Sequence, residues 1–421
     1  MICIKGGRIM NPATGYNEIN DLYIKDGVIA AIGAMPEGEK ISETIRARGM
    51  VVAPGLVDVH VHFRDPGFTW KEDLESGSRA AAAGGYTTVV CMANTNPVVD
   101  HREVLEDILS RSRDLPVHLY QVSAVSKGFK GKELVDFEQM VEAGACGFSD
   151  DGIPLTDPAL IKKAMEAALK VDKPISLHEE DPALNLSNGV NQGPLSRELG
   201  LGGAPAISED VMVARDVMLA LETGAKVDIQ HISSGRAVDL VRYGLSKGAR
   251  IYAEATPHHF TLTEEDVRNY GTMCKMNPPV RTAIDRSKII DGLRDGTISI
   301  IATDHAPHST EEKRKPFNEA PSGIIGLETA LSLGITSLVK QGYLTLMDLL
   351  RKMTVNPAEL YGFPCGDISP GQPADLVIFG PEEMNYVDHF ESKSENSPFA
   401  GAALFGKVHY TICGGKIVFE A

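Results

Sequence analysis

The sequence predicts an α/β protein, a (β/α)8 TIM-type barrel with a small β-sandwich domain built from both chain termini. Eight short apolar segments alternate with amphipathic helical stretches through the middle of the chain, which is typical of parallel βαβ units. Both ends of the chain consist instead of alternating β-like runs. No glycine-rich dinucleotide motif follows the first apolar segment, which disfavours the alternative of an open, doubly wound sheet.

The two ends of the chain share one pattern. Asp26-Gly27 lies between two alternating apolar runs, which predicts a tight hairpin. Gly414-Gly415 separates two similar runs near the other end. We therefore predict one small β-domain formed by residues 1–54 and 366–421, flanking a barrel of residues 55–365.

The middle of the chain supplies the barrel. The eight predicted strands are 56–60, 87–92, 117–122, 146–149, 174–178, 227–231, 250–255 and 298–304. Helical segments lie between them, for example 74–83, 134–143, 159–169 and 210–221. In such a barrel the active site is expected where the strands end.

Composition limits the partners. The 421 residues include 41 basic and 57 acidic side chains, a net charge of −16, which disfavours binding to nucleic acids and anionic membranes. The chain shows no signal-peptide pattern and no apolar run of about 18 residues, so we expect a cytoplasmic protein. The six cysteines are widely spaced, without a CxxC pair, and are expected to be small buried hydrophobes.

Potential metal ligands recur at the predicted strand ends. His60 and His62 lie two apart on the first strand, so both side chains face the same side. Later strands end in further candidates, namely Asp150 and Asp151, His178, His231 and Asp304. This mixture of imidazoles and carboxylates suits zinc, with manganese, cobalt or iron as replacements. Two such ions can share a hydroxide that is nucleophilic at neutral pH.

Several phrases together point to a known family. They are Pro54-Gly-Leu-Val-Asp-Val-His-Val-His-Phe-Arg, Met92-Ala-Asn-Thr-Asn-Pro, Gly147-Phe-Ser-Asp-Asp-Gly, Thr256-Pro-His-His, Lys275-Met-Asn-Pro-Pro-Val-Arg and Ala302-Thr-Asp-His-Ala-Pro-His. In these phrases the sequence resembles the dihydroorotases of the amidohydrolase superfamily, in particular the bacterial class with a composite β-domain. The resemblance covers nearly the whole chain.

The resemblance implies two Zn²⁺ per chain. One ion would be held by His60, His62 and Asp304, the second by His178 and His231, and an aspartate would bridge them. Because neighbours on a strand face opposite ways, a single aspartate of the pair points inward, and the family pattern favours Asp151 over Asp150. Hydantoinases and the other dihydroorotase class use a carboxylated lysine as the bridge, so the aspartate points away from them.

The resemblance also implies the substrate and the reaction, which is the reversible cyclisation of N-carbamoyl-L-aspartate to L-dihydroorotate in de novo pyrimidine biosynthesis. A metal-bridged hydroxide would attack the ring amide, with Asp304 as the acid/base. Arg64, Asn94 and His308 would hold the carboxylate of dihydroorotate, while Asn277, Ser322 and Gly323 would contact the ring amides. Ser322 stands where the family pattern predicts an aromatic residue, which bears on the substrate contacts, and Ala93 stands in place of a usual proline.

Alternative functions stay open at this point. Another cyclic-amide hydrolase, such as a hydantoinase or an allantoinase, would share the chemistry. A catalytically silent barrel would instead scaffold a partner, such as the aspartate carbamoyltransferase of the same pathway. A homodimer is expected, and association with that carbamoyltransferase is left open.

Some polar residues near the predicted site have two interpretations. The segment 308–319 is either a mobile lid over the site or an ordinary solvated loop. His258 and His259 either orient ligands or are structural, and His305 is structural or supports a ligand. The acidic run 179–181 is expected to be a solvated loop.

Overall fold

The computed structural model describes residues 1–421 and contains fifteen β-strands. In chain order they are β1 (Ile2–Asn11), β2 (Tyr16–Lys25), β3 (Val28–Ile32), β4 (Glu43–Arg46), β5 (Val51–Pro54), β6 (Leu56–Val61), β7 (Tyr86–Cys91), β8 (His118–Gln121), β9 (Ile175–Leu177), β10 (Val227–Ile229), β11 (Ile251–Ala255), β12 (Ile300–Ile301), β13 (Leu376–Tyr386), β14 (Ala403–Cys413) and β15 (Lys416–Glu420).

Strands from both ends of the chain form one sheet, which we call the terminal sheet. Its order is β15-β14-β13-β5-β1-β2-β3, with β4 added beside β1. The hairpin predicted at Asp26-Gly27 joins β2 to β3, and both turn residues have the positive φ that a tight hairpin turn requires, 52° and 80°. The predicted β-domain built from both termini is thus confirmed.

The middle of the chain forms the closed barrel. β6, β7 and β8 pair in parallel, as do β9 to β12. The fourth predicted strand is reduced to Phe148, which bridges Ser123 on one side and Ile175 on the other. A further parallel bridge, from Val61 to His305, closes the ring. The predicted (β/α)8 barrel is confirmed, with a fourth strand shorter than expected and the eighth, predicted over 298–304, reduced to β12 at Ile300–Ile301.

Helices connect these strands. They are α1 (Leu74–Ala83), α2 (Arg102–Arg111), α3 (Phe137–Glu142), α4 (Pro158–Lys170), α5 (Pro194–Glu198), α6 (Ala206–Thr223), α7 (Gly235–Ser246), α8 (Pro257–Thr261), α9 (Val267–Tyr270), α10 (Ala283–Asp295), α11 (Thr310–Lys313), α12 (Ala330–Gly334), α13 (Leu346–Met353) and α14 (Val355–Tyr361). Short 3₁₀ turns cover 127–129, 264–266 and 271–274, and 335–339 is π-helical.

α4 illustrates why these segments are helical. The Asp157 side chain accepts hydrogen bonds from the first free backbone N–H groups, and proline occupies the first helical position, where its missing N–H costs nothing. The residues buried against the barrel follow helical spacing and are Ile161, Ala164, Met165 and Ala168.

The buried apolar residues form two clusters. The larger cluster fills the barrel and the space beneath its helices, and it extends to Val377 and Phe379 of the terminal sheet. A smaller cluster of thirteen residues lies within the terminal part, with Ile4, Leu22 and Ile412 among its members. The domain bounds 1–54, 55–365 and 366–421 stay a prediction, which this division into two cores supports. None of the helices is long and apolar enough to cross a membrane.

Candidate active site

The six predicted metal ligands lie at the carboxyl end of the barrel strands. His60 and His62 come from the end of β6, Asp151 from the turn after the Phe148 bridge, His178 from the end of β9, His231 from the turn after β10 and Asp304 from the turn after β12. All six are buried. Residues separated by up to 244 positions therefore meet because parallel barrel strands end on the same rim.

Asp151 lies at the centre of this group. Its Oδ2 is 3.3 Å from Nε2 of His62, and its Oδ1 is 3.4 Å from Nε2 of His60. The same Oδ1 is 3.6 Å from Nε2 of His231 and 3.7 Å from Nδ1 of His178. Asp151 thus belongs to two sets of three potential ligands, one with His60 and His62 and one with His178 and His231. This is the arrangement that a carboxylate shared by two cations requires.

Asp304 adjoins the first of these sets. Its Oδ1 lies 2.9 Å from Nε2 of His62 and 3.6 Å from Nε2 of His60. Asp304, His231 and Arg64 all have positive φ, at 47°, 35° and 60°. Such conformations cost about 1–3 kcal/mol each in non-glycine residues and cluster at functional sites.

Asp150 points away from the group. Its carboxylate accepts hydrogen bonds from the backbone N–H groups of Val125 and Ser126, and from the Ser126 hydroxyl. Burial raises the pKa of Asp150 to about 6, against the lowering effect of these hydrogen bonds. Of the two aspartates that the sequence left open, Asp151 is the one that faces the histidines.

The outer ring nitrogens of three histidines are held by acceptors. Nδ1 of His60 lies 3.0 Å from Glu254 Oε2, and Nδ1 of His62 lies 2.9 Å from Asn94 Oδ1. Nε2 of His178 lies 3.2 Å from Oε2 of Glu180. An N–H donated outward fixes the tautomer and leaves the inner nitrogen of each ring free to bind a metal.

The inner nitrogens fit a metal. Nε2 of His60 is buried without a hydrogen-bond partner and is directed at Asp151 and Asp304. Nδ1 of His178 and Nε2 of His231 lie 2.9 Å apart. Two such nitrogens can both bind a cation that lies between them. The donor set of imidazoles and carboxylates therefore suits divalent metal ions.

Both carboxylates of the site are anionic. Burial works to raise the pKa of Asp151, but the charge of His60 and the close approach of the His178 and His231 rings outweigh it and hold that pKa well below its usual range. For Asp304 burial is likewise outweighed, mainly by the hydrogen bond from His62, and its pKa is lowered. The site therefore offers two negative charges to bound cations.

A cavity of about 190 Å³ opens above Asp151. Five of the six predicted ligands line it, and His60 lies beneath. All six predicted substrate residues line it too, namely Arg64, Asn94, Asn277, His308, Ser322 and Gly323. Arg64 is the one lining side chain with a permanent positive charge, and no lysine lines the cavity. The volume and the polar lining suit a small anionic molecule.

One wall of the cavity is held by its own hydrogen bonds. Nε2 of His308 donates to the Ser322 carbonyl at 2.8 Å, and the Ser322 hydroxyl donates to Oδ1 of Asn277 at 3.1 Å. Burial, with the nearby charge of Arg64, lowers the pKa of His308 well below its usual value, so the ring is neutral. Gly323 has φ of 146°, and a Cβ there would lie 2.7 Å from the Ala306 carbonyl oxygen.

The segment after His308 is anchored rather than loosely solvated. α11 covers Thr310–Lys313, and the buried Lys313 reaches the carbonyl oxygens of Lys275, Pro321 and Gly323. The interpretation as an ordinary solvated loop therefore fails at Lys313. Its movement as a lid stays a prediction.

Two acidic residues of the site lie outside the predicted set. Glu254 holds His60 and accepts a 3.4 Å hydrogen bond from the backbone N–H of His231. The expectation of a solvated loop at 179–181 is wrong for Glu179 and Glu180, because both side chains are buried. Glu180 pairs with His178, and Glu179 faces Asp216. The sequence offered one signal for Glu254, which is an acidic residue inside the otherwise apolar strand β11.

The remaining histidines near the rim do not line the cavity. His259 is fixed by the Thr256 hydroxyl and the Pro278 carbonyl, at 2.8 and 3.0 Å. His305 lies 3.4 Å from Glu72 and accepts from the backbone N–H of Gly326. Both therefore hold backbone in place. Burial lowers the pKa of His258 to about 3, so its ring is neutral.

Comparison with known proteins decides the family. A family model described as "Amidohydrolase family" matches residues 51–418. The chain belongs to the amidohydrolase family. The matched range of this amidohydrolase contains the whole barrel and every residue of the site described above.

Relatives of the full length are similar to this amidohydrolase. A protein named dihydroorotase from Clostridioides difficile (strain 630) is 58% identical over 421 residues and is covered completely, as is this chain. A dihydroorotase from Lactococcus lactis subsp. lactis (strain IL1403) is 50% identical, with 100% of this chain and 99% of the relative covered.

Solved structures of hydantoinases share the fold of this amidohydrolase. The L-hydantoinase (dihydropyrimidinase) from Arthrobacter aurescens superposes with a TM-score of 0.89 at 26% identity, covering 100% of this chain and 96% of that chain. A crystal structure of a D-hydantoinase gives a TM-score of 0.86 at 22% identity, covering 99% and 95%. The second likeness bears on the fold alone.

Proposed function

We propose that this amidohydrolase is a dihydroorotase, which interconverts N-carbamoyl-L-aspartate and L-dihydroorotate in de novo pyrimidine biosynthesis. The observation that carries the proposal is Asp151, which faces two pairs of histidines below a small cavity whose one permanent cation is Arg64. Full-length relatives named dihydroorotase, at 58% and 50% identity, support it. The substrate is an anionic cyclic amide, and the cavity offers a cation for its carboxylate.

We propose that the site binds two Zn²⁺. His60, His62 and Asp304 would hold one ion and His178 and His231 the other, with Asp151 between them. Bound zinc lowers the pKa of a water molecule toward 7 and polarises the amide carbonyl. The unpartnered Nε2 of His60 and the close approach of His178 to His231 support this set.

Asp304 would move the proton of the reaction. Its carboxylate is anionic, lies at the cavity floor and is positioned by His62 at 2.9 Å. As a base, an Asp304 oxygen would take the proton released when the ring amide is attacked. As an acid, it would deliver that proton to the departing ring nitrogen, and cyclisation reverses both transfers.

Arg64 would bind the substrate carboxylate, because a guanidinium matches a carboxylate with two parallel hydrogen bonds. The side-chain amide N–H of Asn94 would complete this contact. His308 would join it only when its one N–H, on Nε2, exchanges the Ser322 carbonyl for the substrate. Asn94 also holds His62, so it would couple substrate binding to the position of that ring. The remaining wall residues Asn277, Ser322 and Gly323 would face the ring amides, with Ser322 offering a hydroxyl there.

An activity assay tests the proposal. Protein stripped of metal with a chelator and reloaded with zinc should hydrolyse dihydroorotate, while the stripped protein should be inactive. Hydantoin and allantoin, which lack the carboxylate, should be turned over far more slowly. Equal turnover of hydantoin, or activity that chelation leaves intact, would contradict it.

A hydantoinase is the second candidate, because the fold matches the L-hydantoinase from Arthrobacter aurescens with a TM-score of 0.89. Arg64 separates the two functions. In a dihydroorotase, Arg64→Met should raise the KM for dihydroorotate by roughly 10- to 100-fold, as loss of a charged hydrogen-bonded contact does, while the bound metal is retained. An unchanged KM would favour a substrate without a carboxylate.

A silent scaffold for aspartate carbamoyltransferase is the third candidate. It is disfavoured because all six predicted positions carry a residue able to bind metal and lie together at the same rim. The expected homodimer and an association with that carbamoyltransferase remain proposals. Sedimentation of the protein alone, and then mixed with the carbamoyltransferase, measures both.

A further inference from the structure

Three further potential ligands meet at the opposite end of the barrel from the cavity. His118 is the first residue of β8, Asp375 immediately precedes β13, and Cys413 is the last residue of β14. Their donor atoms all lie within 4.8 Å of one another. Nε2 of His118 is 3.2 Å from Oδ2 of Asp375. The three segments join the barrel to the terminal sheet, and this cluster shares no residue with the cavity.

We propose that His118, Asp375 and Cys413 bind one zinc-class divalent cation, separate from the ions of the catalytic rim. A neutral imidazole, a carboxylate and a thiolate are all ligands that Zn²⁺ accepts, and the two anions balance its charge. The site does not depend on the proposed activity. It would clamp the barrel against the terminal sheet.

The surroundings of the cluster favour binding. The Asp375 carboxylate is oriented by the backbone N–H of Gly414, whose nitrogen lies 2.6 Å from Oδ1. The Cys413 thiol donates one weak hydrogen bond, to the Thr87 carbonyl at 3.7 Å, and its sulfur lies beside the His118 ring. The side chain of His118 is 46% exposed and borders an open cleft with Cys413, so an ion can reach the site and keep a water as its fourth ligand.

The ordinary alternative is an ion pair without a metal. Hydrogen bonding to Asp375, and then to Cys413, raises the pKa of His118 to about 10, so in the metal-free protein the ring is protonated and pairs with Asp375. An ion would displace that proton and the proton of the thiol. The experiment must therefore detect a metal–sulfur bond rather than stability alone.

Cobalt provides that test in the full chain. Protein stripped of metal and reloaded with Co²⁺ should show the near-ultraviolet charge-transfer absorption of a cobalt–thiolate bond. No cysteine lines the catalytic cavity, so this band reports on Cys413 and is independent of activity. Cobalt analysis should give one ion per chain more than the catalytic rim binds, which is about three in total with the two rim ions proposed above.

Matched variants complete the test. Cys413→Ser should abolish the band and lower the cobalt content by one ion per chain. Cys365→Ser, which removes a thiol beside Thr88, is the control and should keep the band and the full cobalt content. His118→Gln is the second variant, for use if Cys413→Ser does not fold, because it alters a half-exposed side chain. It should weaken cobalt binding, measured from the intensity of the band, by at least tenfold. A wild-type protein without the band, a band that survives Cys413→Ser, or unchanged affinity in His118→Gln would each overturn the proposal.

Discussion

Asp150 and Asp151 are chemically identical neighbours in opposite environments. The backbone turns between them, so Asp150 caps the N–H groups of Val125 and Ser126 while Asp151 enters the histidine group. One carboxylate is satisfied by protein donors, and the other has mainly ring nitrogens around it. Their substitution should therefore separate stability from metal binding.

We expect Asp151→Asn to weaken metal binding by more than the roughly 10- to 100-fold that loss of a supporting hydrogen bond causes, because it removes a shared ligand. Asp150→Asn is the matched control. It should keep its metal but lower the free energy of unfolding by about 1–3 kcal/mol, since buried N–H groups lose a charged acceptor. Metal analysis and urea unfolding measure the two effects. Loss of metal in Asp150→Asn, with metal retained in Asp151→Asn, would assign the ligand role to Asp150 instead.

Asp304 combines a ligand position with the proposed proton transfer. Asp304→Ala should lower kcat for dihydroorotate by about 10²- to 10⁴-fold, the usual contribution of a general acid/base. Asp304→Asn keeps an oxygen that can bind metal but cannot carry the proton, so it should be similarly slow with its metal retained. Steady-state kinetics with metal analysis distinguish the roles. Near-normal kcat in either variant would remove Asp304 from proton transfer.

Among single residues, the sequence predicted the potential ligands at the strand ends but not the buried residues that hold those ligands in place. His60 and His62 were predictable because spacing of two on a strand fixes a common face. Glu254 was not predicted, because its contact with His60 spans 194 positions and depends on how β6, β12 and β11 are staggered around the barrel. The inward direction of Asp151 depends on the turn in which it lies, and residue spacing in the sequence does not determine the geometry of that turn.

Among the elements, the loop after β12 shapes the substrate wall through a close backbone contact. Gly323 has φ of 146°, and a Cβ would lie 2.7 Å from the carbonyl oxygen of Ala306 and 2.8 Å from His308. Gly323→Ala should therefore displace the wall, raise the KM for dihydroorotate and leave metal content unchanged.

Gly342→Ala provides the matched control for that loop. Gly342 also has positive φ, 72°, but a Cβ there meets nothing within 4 Å. Its substitution should cost about 1–2 kcal/mol of stability from backbone strain, without any change in KM. Equal KM values for the two alanine variants would show that the wall at Gly323 does not contact substrate.

The barrel strands were predictable because buried parallel strands are short apolar runs between helices. The limit appeared at Phe148, where the fourth strand is reduced to two isolated bridges. Bridging depends on neighbouring strands at Ser123 and Ile175, which a local pattern does not encode. α1 was predicted at its observed bounds, 74–83, from its amphipathic pattern, and the structure adds the Asp73 cap with which it begins.

At the scale of the whole molecule, His118 and Asp375 join the barrel to the terminal sheet across 257 positions. The pKa of His118 is raised in the folded, metal-free protein to about 10, chiefly by Asp375, against about 6.5 when unfolded. The folded state therefore binds the proton more tightly, and the pair stabilises the fold fully below pH of about 6.5. This contribution is lost as pH rises through about 10.

His118→Gln should therefore lower the unfolding midpoint of chelator-treated protein at pH 6, by a small amount because His118 is half exposed and solvent screens the pair. The difference from wild type should shrink steadily as the pH is raised toward 10. His409→Gln is the control, because it removes an imidazole that pairs with Glu383 within the terminal sheet and not with a residue of the barrel. Thermal unfolding of the three proteins across this pH range measures the effect. A difference that stays constant with pH would mean that His118 joins the two parts by packing and not by charge.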